Sequence, residues 1–194
     1  MNLQHLNVKI MAAEPLGVDP EVLIPVFHKW IQTKATKEML VDVADYLHVP
    51  AGPGVLLVGH EANMSLDHGE NRWGFLYGRK AVMNGDNLER MKTVVSSALE
   101  HCRRLEEDPA LHGKLKFRGE DIQLIVNDRL LTPNTEAALK EWESDLKTFL
   151  NHLFKNSTYS YQRHSDPRER LTLDVKAGGS FRVVDLQTNL GTTS

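Results

Sequence analysis

Leu88, Met91, Val95, Ala98, Cys102 and Leu105 recur at alternating intervals of three and four residues. No other feature constrains the fold of this chain as strongly. At 3.6 residues per turn all six side chains fall on one side of a helix. The spacing predicts a helix over 88–105 whose apolar stripe must be covered by another element. Cys102, the single cysteine, lies in that stripe and reads as a small core residue, not a nucleophile. A lone cysteine also rules out an intrachain disulfide.

Most of the remaining apolar runs are strand-like. "NVKIMAA" (Asn7 to Ala13) is compact, rich in β-formers and stopped by Pro15 and Gly17. Leu40 to Leu47, Ile122 to Val126, "TYSYQR", "RLTLDV" and "SFRVVDL" read the same way. Gly54 to Asp67 and Arg72 to Lys80 are expected to form a hairpin, and the closing "QTNLGTTS" to fray. Two further helices carry start signals. Asp19 precedes Pro20, and Pro25 then predicts a kink or a second start. Thr132 and Pro133 open a helix whose core face is Leu139, Trp142, Leu146, Phe149, Leu150 and Leu153.

Strands grouped between separate helices imply an α+β fold, with a mixed or mainly antiparallel sheet and about three helices packed on it. A doubly wound fold would need regular strand–helix alternation, which the hairpins break. The 194 residues fit a single domain. Residues 1–107 and 115–188 repeat a similar order of elements, as expected for two βαββ(β) halves.

Composition narrows the function. The net charge is -3 and the basic residues are scattered, which argues against nucleic acid as a partner. No apolar run reaches the roughly 18 residues of a membrane span. The amino-terminal "MNLQHLNVKIMAAEPLG" lacks the basic lead-in of a secretory leader. A cytoplasmic setting is expected.

Familiar cofactor and catalytic motifs are absent. In "AGPG" the glycines precede a strand, whereas a phosphate loop follows one and opens a helix. "HEANM" has Met64 where a zinc protease needs its second histidine. His48, His60 and His68 lack metal-ligand spacing, and no GxSxG occurs. Neither a metal nor a cofactor is expected.

Alternation along Val55 to Leu66 places His60 on the face of Leu56, Val58, Ala62, Met64 and Leu66. Trp73, Phe75, Tyr77 and Arg79 share one side of the partner segment, with Gly74 and Gly78 on the other. A four-residue loop would align Leu66 with Trp73, Met64 with Phe75, Ala62 with Tyr77 and His60 with Arg79. A buried imidazole beside a cation is costly unless an anion completes the set, supplied by Asp42, by Asp45 or by a small anionic ligand. The plainer alternative has Arg79 reaching solvent at the sheet edge and His60 hydrogen-bonded to backbone.

The leading expectation is a non-catalytic protein that binds a small ligand or a protein partner, with His48, His60, Tyr77 and Arg79 as ligand-binding candidates. The rival is an enzyme using His60 as general acid or base, with Asp42 or Asp45 orienting it and Arg79 holding an anionic substrate. A third reading is a structural role, with the apolar hairpin and helices completing a homodimer.

Overall fold

The computed structural model describes residues 1–191. Among them lie eight strands: β1 (Leu6–Ala12), β2 (Leu40–Tyr46), β3 (Gly54–Gly59), β4 (Ala62–Asp67), β5 (Gly74–Arg79), β6 (Phe117–Val126), β7 (Tyr159–Arg163) and β8 (Leu171–Ala177). Four helices accompany them: α1 (Leu23–Thr33), α2 (Asn87–Glu107), α3 (Glu136–Leu153) and α4 (Val183–Leu190). The strands form one sheet in the order β2-β3-β4-β5-β1-β6-β8-β7. Every neighbouring pair is antiparallel. The fold is α+β, with helices packed on the sheet. No helix among the described residues is long and apolar enough to cross a membrane.

The two faces of the sheet differ in chemistry because side chains alternate along each strand. One set consists of Val8 and Ile10, with Tyr77 and Phe75 opposite them on β5 and Leu124 and Ile122 opposite them on β6. All six are buried in the apolar core. α2 covers this face: it packs on β1 and β5 and also touches α3 and α4. Met91, Val95, Ala98, Cys102 and Leu105 of its stripe are fully enclosed, whereas Leu88 sits partly exposed at its start. Asp86 caps α2 by accepting the Glu89 N–H, and Glu89 accepts the Asp86 N–H in return.

The helix-free face carries Asn7 and Lys9 of β1, Gln123 of β6, Ser65 and Asp67 of β4, and Thr172 of β8, all buried. Gly74 and Gly78 of β5 fall on this side, as the alternation requires. The loop from His68 to Trp73 folds across it. Glu70 and Asn71 there hold left-handed backbone (φ 61° and 56°), uncommon for residues with a Cβ. Arg72 reaches Asp121 at 2.9 Å and Asp174 at 3.4 Å, tying the loop to β6 and β8.

Around the sheet centre, β1 leads to α1, a meander β2–β5 that returns to the edge of β1, and then α2. On the other side β6 leads to α3, the hairpin β7–β8 that returns to β6, and then α4. The first path has two more strands than the second.

Four local expectations differ from the structure. Gly54 to Asp67 is two strands, β3 and β4, joined at His60 and Glu61. A continuous strand would have had 14 residues, against a usual length of about five or six, and Gly59 supplies the break. "SFRVVDL" begins α4 instead of a strand, because Val183, Leu186 and Leu190 are buried at helical spacing. Gly191 closes α4 in the left-handed conformation. Of the tail expected to fray, Gln187 and Leu190 are buried, while residues 192–194 lie outside the described residues. Thr135, not Thr132, caps α3, and Thr132 is buried ahead of it. A short turn and a second start do occur, but ahead of Pro25: a 3-10 turn over Pro20–Val22 gives way to α1 at Leu23, and Pro25 falls in its first turn.

Candidate functional site

The residues singled out from the sequence do not gather in one place. His60 is exposed on the β3–β4 turn, where its N–H donates to the Met39 carbonyl at 2.8 Å. It therefore does not sit on an apolar face opposite Arg79. The residue across from Arg79 is Ala62, and Met64 faces Tyr77. The register of β4 against β5 differs from the expected one by two residues, which keeps the side chains of those two strands on their assigned faces. The cause is a six-residue loop, with Asp67 paired to Gly74. In β3 the faces are exchanged, because Val55 and Leu57, not Leu56 and Val58, pair with Leu66 and Met64 and are buried. Arg79 is answered by Glu61, at 2.8 Å.

Asp42 and Asp45 lie exposed on β2, the sheet edge, far from the role of charge partner to His60. Each accepts a backbone N–H close by, from Val43 at 2.8 Å and Leu47 at 2.9 Å. Carboxylates on an edge strand also discourage pairing with another chain. His48 is exposed and stacks on Tyr46 with ring centroids 6.4 Å apart. Of the candidates, Tyr77 and Arg79 alone are brought together. They are two residues apart on one strand face, though Tyr77 bonds to Glu38 whereas Arg79 bonds to the Ala81 carbonyl and to Glu61.

Tyr77 leads to a site that the sequence reading passed over. Its side chain points from β5 into the layer beneath α2 and is fully buried. The hydroxyl donates a short hydrogen bond to Glu38 Oε1. Glu38 stands just before β2, on the segment that follows α1 once Lys34 (φ 49°) ends that helix. The other carboxylate oxygen, Oε2, lies 3.8 Å from His101 Nε2 on α2. His101 is 2 % exposed. Its ring sits among Trp30, Phe75 and Tyr77, each with its centroid 5.9 Å away.

Protonation follows from these surroundings. His101 Nδ1 is 2.7 Å from the Ser97 carbonyl oxygen. A carbonyl can only accept, so Nδ1 carries the hydrogen. Burial pushes the imidazole below its ordinary pKa, outweighing the backbone bond to Ser97 and the charge of Glu38. The ring is then neutral at neutral pH, and Nε2 presents a lone pair towards Glu38. At 3.8 Å this contact is neither a hydrogen bond nor an ion pair. Burial, reinforced by the Glu38 charge, pushes the Tyr77 hydroxyl well above the usual phenol range, so it keeps its proton.

A cavity of about 450 Å³ opens on this group, between the Thr36–Glu38 segment, α2 and α4. Four polar atoms on its lining are buried without a hydrogen-bond partner: Glu38 Oε2, His101 Nε2, Ser96 Oγ and Arg104 Nε, the last ion-paired to Glu100 at 2.8 Å. Lys37, Glu100, Arg103 and Arg104 also line it. Glu100 answers both arginines, Arg103 at 3.1 Å and Arg104 at 2.8 Å, and Arg103 reaches Glu107 at 2.7 Å.

No family model, curated protein or solved structure matches this chain. Function must be argued from the geometry.

The second polar assembly, on the helix-free face, has a different character. Lys9 Nζ meets Asp67 Oδ1 at 2.5 Å and the Gly69 carbonyl at 3.0 Å. Gln123 donates to Glu70 and Asp174, and His164 Nε2 lies 3.0 Å from Asp174. A smaller cavity, about 260 Å³, remains beneath the loop. Its principal charges answer one another across the strands, which suits a clamp holding the loop on the sheet. Among the described residues no group of three or more His, Cys, Asp or Glu is arranged to hold a metal ion.

Glu38, Ser96 and His101 were missed for understandable reasons. His101 had one local signal: it neighbours Cys102 in the α2 stripe, three residues beyond Ala98, so it turns towards the core. Nothing local marks Glu38, whose partner Tyr77 is 39 residues away.

Proposed function

We propose that this chain is a small-ligand-binding protein, and that its ligand occupies the cavity over Glu38, Tyr77 and His101. The reading rests on three of these atoms, Glu38 Oε2, His101 Nε2 and Ser96 Oγ, which converge on one cavity. A buried polar atom without a partner costs about 1–3 kcal/mol, so native chains rarely leave several together. A ligand that satisfies them offsets that cost. The cavity lies within the volume range of small-molecule sites, about 300–1,000 Å³. The enclosed Cys102 thiol fits a reducing setting, and the cytoplasm is the compartment this reading assumes.

A catalytic reading is carried by one observation, the neutral His101 imidazole with its free Nε2. A general base needs that form. In that reading His101, not the exposed His60, is the acid–base group.

A fragment screen followed through the ring proton of His101 by NMR tests the proposal. Fragments should shift that signal in the native chain and not in a folded Ser96→Trp variant, where the indole fills the cavity. If no fragment moves it, or Ser96→Trp responds equally, the reading is wrong.

A further inference from the structure

We infer that the ligand is a zwitterion, carrying a primary ammonium at one end and a carboxylate at the other. This inference rests on the small-ligand reading above and adds the ligand's chemical class. The Glu38–His101 pair on the cavity floor accepts hydrogen bonds without offering them, and the Ser96 hydroxyl on the same lining can accept or donate. His101 Nδ1–H is committed to Ser97, which leaves the Nε2 lone pair. Glu38 Oε1 accepts the Tyr77 O–H, which leaves Oε2. Two acceptors 3.8 Å apart then face one cavity, and only a donor-bearing group can serve both.

Charge makes that group a cation. The Glu38 side chain is 12 % exposed and has no cationic partner among the described residues: His101, 3.8 Å away, is held neutral, and Arg79 is engaged by Glu61. An enclosed carboxylate without a counter-charge is costly, and a ligand ammonium supplies the missing charge. The more open part of the lining has the opposite character. Arg103 and Arg104 share Glu100, and exposed Lys37 takes part in no ion pair among the described residues. That basic rim is suited to a carboxylate. A molecule with both groups matches floor and rim together, whereas a simple anion would meet the Glu38 carboxylate and the His101 lone pair at depth.

The test compares 6-aminohexanoate with hexylamine and hexanoate, titrated into the native chain and followed by calorimetry and by the His101 ring signals. The amino acid should bind at least about tenfold more tightly than either monofunctional compound. Glu38→Gln should weaken the amino acid and the amine about tenfold while leaving hexanoate unchanged. Lys37→Ala, at an exposed position that should not disturb folding, should bring the amino acid down to the level of the amine. Hexanoate binding as tightly as the amino acid would overturn the zwitterion while leaving the cavity as a ligand site. The same holds if all three compounds leave His101 unmoved while neutral fragments shift it. If fragments and these compounds alike leave His101 unmoved, both readings fall.

Discussion

The Lys9–Asp67 pair gives the sharpest stability prediction. Lys9 lies on β1, one of the two central strands, with its side chain 4 % exposed, and Asp67 ends β4 at 12 %. Asp67 Oδ1 takes both the ammonium, at 2.5 Å, and the Gly69 N–H, at 2.9 Å. Asp67→Asn keeps the shape and an acceptor but removes the charge, so the ammonium is left enclosed with only neutral partners. Breaking a buried pair from one side costs about 3–5 kcal/mol, a large fraction of the roughly 5–15 kcal/mol that holds a domain folded. Lys9→Met leaves the carboxylate uncompensated and should cost a similar or slightly smaller amount, because Asp67 is the more exposed partner. The double variant Lys9→Met/Asp67→Leu removes both charges and should be more stable than either single variant. Urea unfolding reads this as a fall in midpoint at constant slope. A loss below about 1 kcal/mol for Asp67→Asn, or strict additivity in the double variant, would show that the pair is not electrostatically closed off.

Other predictions test separate parts of the account. Below the unfolded imidazole value of about 6.5, the unfolded chain takes up a proton that buried His101 refuses. That contribution to stability is complete above this pH and declines as pH falls through the window below it, by at most about 1.4 kcal/mol per unit. His101→Gln should flatten the decline in urea melts taken at several pH values; an unchanged slope would place the titration elsewhere. Gly74→Ala puts a Cβ 2.9 Å from the Ile10 carbonyl oxygen and from the stem of Lys9, and should destabilise by about 1–3 kcal/mol on thermal unfolding. Trp142 is fully enclosed on α3, so Trp142→Ala should cost about 3–5 kcal/mol. By contrast Leu130→Ser and Leu131→Ser, at 91 % and 75 % exposure, should each change stability by less than about 0.5 kcal/mol.

Periodicity carried much of the architecture into view, and the reason is physical. The stripe of α2 and the alternation of β5 each follow from one face being buried and the other not. The register of β4 against β5 was displaced by two residues, yet Phe75 and Tyr77 still face the helices, because a shift of two preserves the side-chain face. Errors arose where no periodicity acts. A two-residue turn at His60 and Glu61 looks like a continuing strand when Ala62, Met64 and Leu66 resume the apolar pattern beyond it. The short helix α4 offers only two turns, and its "FRVV" opening favours strand by composition. The site was less legible still. Tyr77 could be placed on the correct face, but Glu38 approaches it from beyond α1 and His101 comes down from α2. Their meeting depends on how α1 and α2 pack on the sheet, which no local pattern encodes.

The most direct measurement is the pair of ring ¹⁵N chemical shifts of His101 in the folded protein near neutral pH. The account predicts a protonated Nδ1 and an unprotonated Nε2, with the Nε2 shift moving when a ligand enters the cavity. A protonated Nε2 would contradict it, because His101 would then be the cation for Glu38 and the pair would no longer present two acceptors to the cavity.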